Sequence, residues 1–295
     1  LWQANHVKGR IGSLFPDTTV EIKIIKTTGD RITDRPLAMV GGKGLFVKEI
    51  ENGLLNGDID LAVHSMKDMP GELPDGLVIG AVPERENPFD VLISRKGLML
   101  ADYPAGARIG TSSLRRASQI KHIRPDLEIV SIRGNLDTRL KKLKSGEYDA
   151  IVLAAAGLRR LGQEKEITQY LDEKSMVPAV GQGALCIEIR AHDQAIQEVM
   201  KGLNHHLTRT CVTGERAFLK QIEGSCHIPV ACFGQAEGDG VRLAAVVASE
   251  DGQTMVREEI FSPEDNIEAT GRELADMVLD RGGREILEAL GSNDG

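Results

Sequence analysis

Alternation of apolar and polar positions predicts strands along most of the chain. Residues 58–65, DIDLAVHS, place Ile59, Leu61 and Val63 on one side of an extended segment. A two-residue period is typical of a strand that buries at least one face. Similar segments predict strands at VEIKIIK (20–26), GLVIGAV (76–82), VLIS (91–94), RIG (108–110), EIVSI (128–132), YDAIVLA (148–154), ALCIEIRA (184–191), IPVACFGQAEG (228–238) and VRLAAVVAS (241–249).

Helical spacing separates these segments. At the start of the chain Leu1, Ala4, Val7, Ile11 and Leu14 fall on one helical face, although no methionine, cap or strand comes first, so we expect further residues in front. The other predicted helices are FVKEIENGLLNG (46–57), TSSLRRASQIKHIRP (111–125), RGNLDTRLKKLKSG (133–146), AAGLRRLG (155–162), TCVTGERAFLKQIEG (210–224) and IEATGRELADMVLDRG (267–282).

The order of these elements predicts an α/β fold with parallel, doubly wound sheets. Two stretches, PERENPFD (83–90) and PAVGQG (178–183), are rich in proline or glycine and are interpreted as crossings between domains. We therefore expect a first domain over 1–83 and 184–203, a second over 88–178, and a smaller α/β domain over 204–295.

Composition narrows the choice of ligand. The chain has 295 residues, 3% aromatic residues and a net charge of −8, which disfavours nucleic-acid stacking and binding to anionic membrane surfaces. No apolar stretch is long enough to span a membrane. The four cysteines have neither zinc-site spacing nor the density of a disulfide scaffold, so we expect no metal and a reducing compartment. An anionic ligand would need a local cluster of arginines.

Lys67 and Asp68 follow the strand DIDLAVHS immediately before Pro70, which ends any ladder. Ligands of open α/β sheets bind at the carboxyl ends of strands. For an arbitrary Lys–Asp pair, however, a surface ion pair of little energetic value is the more frequent explanation. The rest of the chain has to decide between these interpretations.

Arginines and hydroxyl residues follow three other predicted strands. A helix start such as TSSLRR presents unpaired N–H groups and favours anions, although TSS is also an ordinary helix cap. In an acidic protein, arginines gathered at one sheet edge predict a ligand with several carboxylates or phosphates. The candidates are Thr111, Ser112, Ser113, Arg115, Arg116, Arg133, Gly134, Arg139, Arg159 and Arg160.

Two further motifs are ambiguous on their own. GGKG at 41–44 places Lys43 in a flexible turn, but it matches neither common nucleotide-binding motif. Cys226 lies in a small-residue loop, where either a buried thiol or a reactive one fits. The adjacent His227 would point away from Cys226 on an extended chain, which disfavours a protease-like pair.

Seven ordered motifs resemble the porphobilinogen deaminase family, also called the hydroxymethylbilane synthases. They are VGGKGLFVKE, DLAVHSMKDMP, GTSSLRR, SIRGN followed by TRL, EYDAIVLAAAGLRRLG, PAVGQGA and GSCHIPV, and they cover almost the whole chain. The resemblance implies two lobes similar to periplasmic binding proteins and a third domain that carries a cysteine. It implies a transferase of tetrapyrrole and haem biosynthesis that joins four porphobilinogen molecules head to tail into hydroxymethylbilane and releases ammonia.

The resemblance also implies a cofactor and the roles of residues. A dipyrromethane cofactor would be attached through a thioether to Cys226, and Asp68 would be the catalytic aspartate. A preorganised carboxylate facing the pyrrole N–H would stabilise the positive charge that develops when ammonia leaves. The residues that match the family's cofactor and substrate contacts are Lys43, Phe46, Ser65, Lys67, Thr111, Ser112, Ser113, Arg115, Arg116, Arg133, Gly134, Arg139, Arg160 and Gln182.

The sequence departs from the family's pattern in two places. A strand with an Arg-x-Ser motif is expected before LWQA, and Met39 stands where some members have a lysine. A chain that truly lacked the strand would have little activity, so a nonfunctional protein is one alternative. Another is a two-lobed receptor for anions, in which Cys226 has no role. The resemblance otherwise implies a cytoplasmic monomer that binds porphobilinogen and neither nucleic acid nor membrane.

Overall fold

The structure, a computed structural model, describes residues 1–27, 47–222 and 228–291 and arranges their strands in three sheets. The helices are α1 (Trp2–Leu14), α2 (Lys48–Leu55), α3 (Leu114–Ile123), α4 (Leu136–Lys144), α5 (Ala155–Arg160), α6 (Gln194–Leu203), α7 (His206–Gln221), α8 (Ile267–Val278) and α9 (Arg284–Gly291). The strands are β1 (Leu61–Ser65), β2 (Leu77–Ala81), β3 (Asp90–Ser94), β4 (Arg108–Gly110), β5 (Glu128–Val130), β6 (Ala150–Ala154), β7 (Gln169–Leu171), β8 (Leu185–Arg190), β9 (Val230–Glu237), β10 (Gly240–Ala248) and β11 (Met255–Pro263).

The first sheet has the order β1-β8-β2, and β8 runs antiparallel to both neighbours. Helix α1 buries Val7 and Ile11 against this sheet and α6. The strand predicted at 20–26 is wrong, because these residues form no ladder with any described strand. Ile24 is largely exposed, so alternation alone did not supply a pairing partner.

The second sheet has the order β5-β4-β6-β3-β7 and a core on each face. Strands β4, β5 and β6 are parallel, as predicted, but β3 is antiparallel to β6 and to β7. The parallel sheet predicted for this block is therefore corrected to a mixed one. The α/β class itself is confirmed, and mixed sheets are common in such folds.

The third sheet is an antiparallel meander, β9-β10-β11, covered by α7 and α8. The sequence predicted β9, β10, α7 and α8 but not β11. Strand β11 alternates weakly because its MVREEIFSP segment carries charges on both sides of the two-residue period. This sheet contacts the second one through a small apolar cluster that includes Phe89, Val177 and Phe233.

Two glycines of the PAVGQG segment allow the sheets to meet. Gly181 has φ +68°, and a Cβ there would lie 2.4 Å from Met66 Cγ. Gly183 has φ +86°, and its Cβ would lie 2.4 Å from the Glu86 carbonyl oxygen. Only glycine combines this backbone conformation with so close an approach. The segment thus packs on both the turn that carries Lys67 and the 83–90 crossing.

Candidate functional site

Lys67 and Asp68 lie in a short 3-10 turn, Met66–Asp68, directly after β1. The buried Met66 anchors the turn, and its N–H donates to the Ala184 carbonyl at 3.0 Å. The Met69 N–H closes the turn by donating to the Met66 carbonyl at 3.1 Å. Lys67 and Asp68 are both exposed. A fixed backbone therefore presents two opposite charges at the end of a strand.

The charge of Lys67 interacts with the second sheet. Its pKa is lowered, first because surrounding protein displaces water and then because Arg116 and Arg115 repel the ammonium. Asp68 and Asp90 oppose the shift. The side chain retains exposed surface, but these charges all lie near it. The turn after β1 and the arginines of α3 therefore belong to one electrostatic site.

Asp90, a residue that the sequence analysis missed, holds both of these arginines. Arg115 Nη1 donates to Asp90 Oδ2 at 2.7 Å, and Arg116 Nε donates to Asp90 Oδ1 at 2.8 Å. Arg115 is 6% exposed, Arg116 7% and Asp90 0%. Burial alone would raise the pKa of Asp90, but the two arginines lower it to about 2. The pair of arginines thus keeps one net positive charge.

Gln182 completes this cluster. Its Nε2 donates to the Pro88 carbonyl at 2.6 Å and to Asp90 Oδ1 at 3.1 Å, and its Oε1 accepts from Arg115 Nη2 at 3.4 Å. Both ends of the buried amide are therefore engaged within the protein. The sequence analysis predicted Gln182 as a ligand contact. In the structure its side chain hydrogen-bonds Asp90 and Arg115 and helps to fix their positions.

The TSS segment lies between β4 and α3. Thr111 is buried, and its Oγ1 accepts from the Ser113 N–H at 3.2 Å. Ser112 Oγ is 2.9 Å from Ser131 Oγ and donates to the Ile132 carbonyl at 2.6 Å, so it ties this segment to the end of β5. Ser113 is the residue before α3 and makes no side-chain capping bond. The ordinary-cap interpretation is therefore wrong for Ser113.

The second group of arginines lies beyond β5. Arg133 is exposed, and Gly134 has φ +113° with its Cβ position against Thr138. Arg139 on α4 donates from Nε to the Gly134 carbonyl at 2.8 Å. The pKa of Arg139 is lowered by burial, and no carboxylate pairs with it among the described residues. Its remaining N–H groups suit an anionic ligand.

Arg160, the last residue of α5, also meets the first sheet's layer. Its Nη2 donates to the Gly183 carbonyl at 2.7 Å, and its guanidinium lies 5.8 Å from the centre of the Trp2 ring. Ser65, at the end of β1, accepts a hydrogen bond at 2.8 Å from Gln3 Nε2. By contrast, the neighbouring Arg159 pairs with Glu86 at 3.2 Å, so its charge has a structural partner.

Three predicted residues, Lys43, Phe46 and Cys226, lie outside the described residues. Three described ones were missed by the sequence analysis. Asp90 had a visible signal, since an acidic residue opens the apolar strand in FDVLIS. Gln3 and Trp2 had none, because the first helix pattern marks only its apolar face.

The donor set fits a ligand with several carboxylates. Arg133, Arg139 and Arg160 belong to the second sheet's layer, while Lys67 and Asp68 follow a strand of the first.

Within residues 1–27, 47–222 and 228–291, no group of three histidine, cysteine or acidic side chains could hold a metal ion. In the same part of the chain no helix is long and apolar enough to cross a membrane.

Family models account for most of the chain. Residues 1–198 match the porphobilinogen deaminase, dipyromethane cofactor binding domain, and residues 209–280 match the porphobilinogen deaminase, C-terminal domain. Among solved structures, a probable amino-acid ABC transporter extracellular-binding protein, ytmK, from Bacillus subtilis is 14% identical, with 68% of this chain and 79% of that chain covered and a TM-score of 0.39. That likeness is too low to support an argument.

Curated relatives match over nearly their full lengths. The chain is 51% identical to porphobilinogen deaminase of Pelobacter propionicus, over 98% of this chain and 93% of that protein. It is 50% identical to that of Geotalea uraniireducens, over 97% and 90%, and 49% identical to that of Syntrophus aciditrophicus, over 98% and 95%. The chain therefore belongs to the porphobilinogen deaminase family, the transferases that join four porphobilinogen molecules into hydroxymethylbilane on a dipyrromethane cofactor.

Proposed function

We propose that Asp68 is the catalytic carboxylate of this reaction. The observation that carries the proposal is its position on the fixed Met66–Asp68 turn, exposed beside Lys67, whose charge interacts with Arg115 and Arg116 of the second sheet's layer. Loss of ammonia from porphobilinogen leaves an electron-poor carbon conjugated with the pyrrole N–H. A carboxylate held at that N–H stabilises the developing positive charge. It can also pass a proton to the departing amine.

Lys67 has a supporting role in this proposal. Because its own charge is disfavoured by Arg115 and Arg116, a substrate carboxylate that approached would relieve that repulsion. Lys67 therefore favours an anionic substrate at the turn.

The described side chains fit the cofactor and the growing chain. When bound, the dipyrromethane supplies the pyrrole carbon on which the chain is extended. Its acetate and propionate groups would be held by Arg133, Arg139 and Arg160. Neutral contacts would come from Ser65, Thr111, Ser112, Ser113 and the Gly134 backbone. Lys43 and Phe46 also match residues that contact the cofactor and substrate in the family. Arg115 and Arg116 would act through the net charge that Asp90 leaves, and Gln182 would hold that cluster in place.

Cys226 is the proposed attachment point of the cofactor. The other three cysteines, Cys186, Cys211 and Cys232, are all buried. Burial raises the pKa of Cys186 to about 12 and that of Cys211 to about 11, and it also raises the pKa of Cys232. Thiols that resist ionisation are poor nucleophiles. This supports the remaining cysteine as the one that forms the thioether.

The finer organisation is also proposed from the sequence. The separate cores of the three sheets support domains over 1–83 with 184–203, over 88–178, and over 204–295. We infer a monomer that acts in the cytoplasm, since each sheet has its own covering helices and the sequence suits a reducing compartment.

Replacing Asp68 by Asn tests the catalytic assignment. Ammonia release should fall at least about a hundredfold, as when one transition-state stabiliser is removed. The melting temperature should stay unchanged, because the side chain is exposed. Asp75→Asn, at another exposed turn, is the matched control and should keep full activity. An active Asp68→Asn enzyme would refute the assignment.

Intact mass tests the attachment. The purified protein should exceed its polypeptide mass by two linked porphobilinogen units, and Cys226→Ser should lose that excess. Cys211→Ser should retain it. Loss of the excess in Cys211→Ser but not in Cys226→Ser would contradict the proposal, and a bare mass with bound, unreacted anion would favour the two-lobed receptor.

A further inference from the structure

We propose that Trp2 is a positioning residue that holds the Arg160 guanidinium for a carboxylate of the substrate or cofactor. The inference rests on the proposed function, in which Arg160 is one of the anion-binding residues. Trp2 itself would not touch the ligand. It would act by fixing where the guanidinium lies and by linking the two layers that form the site.

The contact joins elements of two different sheets. Trp2 is the first residue of α1, which packs on the first sheet through Val7 and Ile11. Arg160 ends α5, which packs on the second sheet through Ala155 and Leu158. The guanidinium carbon lies 5.8 Å from the centre of the Trp2 ring. This is within the range of a cation–π interaction, for which tryptophan is the best aromatic partner.

The Trp2 ring is held in place from its own helix. His6, one turn further along α1, stacks on it with ring centres 5.0 Å apart and an angle of 8° between the planes. The pKa of His6 is lowered, first by burial and then by the charges of Arg10 and Arg160. This shift favours the neutral imidazole, so His6 does not add a second cation beside Arg160 at this ring.

The exposure of Trp2 is otherwise unexplained by packing. The residue is 40% exposed, in a chain with 3% aromatic residues and a single tryptophan. Core packing would bury such a residue more fully. A position at the edge of the first layer, facing a cation of the second, accounts for both its exposure and its contact.

Arg160 keeps donors for a ligand while it is held. Its Nη2 donates to the Gly183 carbonyl at 2.7 Å, and no carboxylate forms an ion pair with it in the described part of the chain. Nε, Nη1 and the second hydrogen of Nη2 are left to donate to a carboxylate. With one edge bound by Gly183 and one face on Trp2, the guanidinium has little rotational freedom left.

The first experiment is a kinetic comparison in the complete, cofactor-loaded enzyme. Trp2→Leu should raise KM for porphobilinogen about three- to tenfold and change kcat by less than about twofold, the scale of a lost cation–π contact. Trp2→Phe, which keeps a ring, should recover most of the loss. Leu14→Ala, at the exposed far end of α1, is the control and should leave both constants unchanged.

A double variant separates positioning of Arg160 from a general effect on the fold. Trp2→Leu added to Arg160→Gln should raise KM no further than Arg160→Gln alone, because the ring then has no guanidinium to hold. Additive effects, or a Trp2→Leu enzyme that loses kcat at unchanged KM, would overturn the proposal. A lowered melting temperature in Trp2→Leu without a change in KM would assign Trp2 a purely structural role.

Fluorescence gives a readout that does not depend on turnover. Because the sequence has one tryptophan, emission excited selectively through tryptophan rather than the three tyrosines reports on Trp2. Arg160→Gln should change the emission and increase quenching by acrylamide, whereas Arg272→Gln, far along the surface of α8, should change neither. Identical emission in Arg160→Gln and the parent would refute the contact. If Asp68→Asn proves active while the emission responds as expected, the catalytic assignment fails and the Trp2 contact stands.

Discussion

Arg115 and Arg116 on α3 differ from Arg139 and Arg160, although all four follow strands of the same sheet. The first two are buried and share one carboxylate, Asp90, which two arginines hold in its ionised form. The other two are half-buried and donate to backbone carbonyls, with no ion pair to a carboxylate among the described residues. The same residue type at equivalent junctions thus meets two different environments.

This difference separates building the site from binding the ligand. When a buried arginine pairs with a carboxylate, most of its N–H donors are already hydrogen-bonded within the protein. Removing the carboxylate then leaves an uncompensated positive charge. A half-buried arginine bound to one carbonyl keeps donors for a ligand. We therefore expect substitutions in the Asp90 cluster to act mainly on stability, and substitutions of Arg139 or Arg160 to act mainly on substrate affinity.

The largest effect is expected from Asp90→Asn. Two buried guanidinium groups would lose their counter-charge, which should lower the free energy of unfolding by about 3–5 kcal/mol. Urea denaturation measures this, with Asp239→Asn, in the exposed β9–β10 turn, as the control. An Asp90→Asn protein as stable as the parent would show that the arginines are not held by charge.

The pH dependence of that difference follows from the same carboxyl group. The folded pKa of Asp90 is about 2, below its usual 3.8, so its ionised form adds stability that is complete only above about pH 5. That contribution is lost as the pH falls towards 2, where the carboxyl group takes up a proton in the folded state too. The stability gap between parent and Asp90→Asn should therefore be constant from pH 7 to about 5 and shrink below it.

A direct exchange tests the two arginine groups against each other. Arg115→Gln should lower the free energy of unfolding by about 3 kcal/mol, because Asp90 loses a buried partner. Arg139→Gln should leave the melting temperature nearly unchanged and raise KM about tenfold, the loss of one charge-assisted hydrogen bond. Thermal melts and steady-state kinetics on both, beside the surface variant Arg272→Gln, measure this. A loss of affinity in Arg115→Gln together with a loss of stability in Arg139→Gln would contradict the assignment of Arg115 to stability and Arg139 to substrate binding.

The smallest effect concerns a buried carboxyl group without such partners. Glu51 is 7% exposed, and among the residues that the structure describes its Oε1 has no hydrogen-bond partner. Its pKa is raised, first by burial and then by the charge of Glu188. Ionising it costs stability as the pH rises above the usual range of a glutamate. Glu51→Gln should therefore stabilise the protein by about 1 kcal/mol at pH 8 and by less at pH 5.

Denaturation at the two pH values, with the exposed Glu21→Gln as control, measures that effect. No gain, or a gain that grows as the pH falls, would contradict the prediction. Comparison of Glu51→Gln with Asp90→Asn tests whether burial or the presence of a charged partner determines how much a carboxylate contributes to the free energy of unfolding.

Most elements were predictable because their patterns are local. The DIDLAVHS strand ends at Ser65, just before the turn that carries Lys67 and Asp68, and the TSSLRR helix begins directly after its hydroxyl residues. Residues 20–26 show the limit, since alternation without a partner gave no ladder in the described structure. Strand β11 was missed because charges on both of its faces hide the period. Strand pairing depends on distant residues that a local pattern does not contain.

The motifs along the chain, read in order, were sufficient to identify the family, its cofactor and its reaction, because those depend on which residues are present. The partners of those residues depended on tertiary structure. Asp90 and Arg115 are 25 positions apart, and Trp2 and Arg160 belong to different layers. Folding decides whether an arginine pairs with a carboxylate of the protein or keeps its N–H donors for a ligand. The reason is that burial and neighbouring charges set the free energy of its charged form.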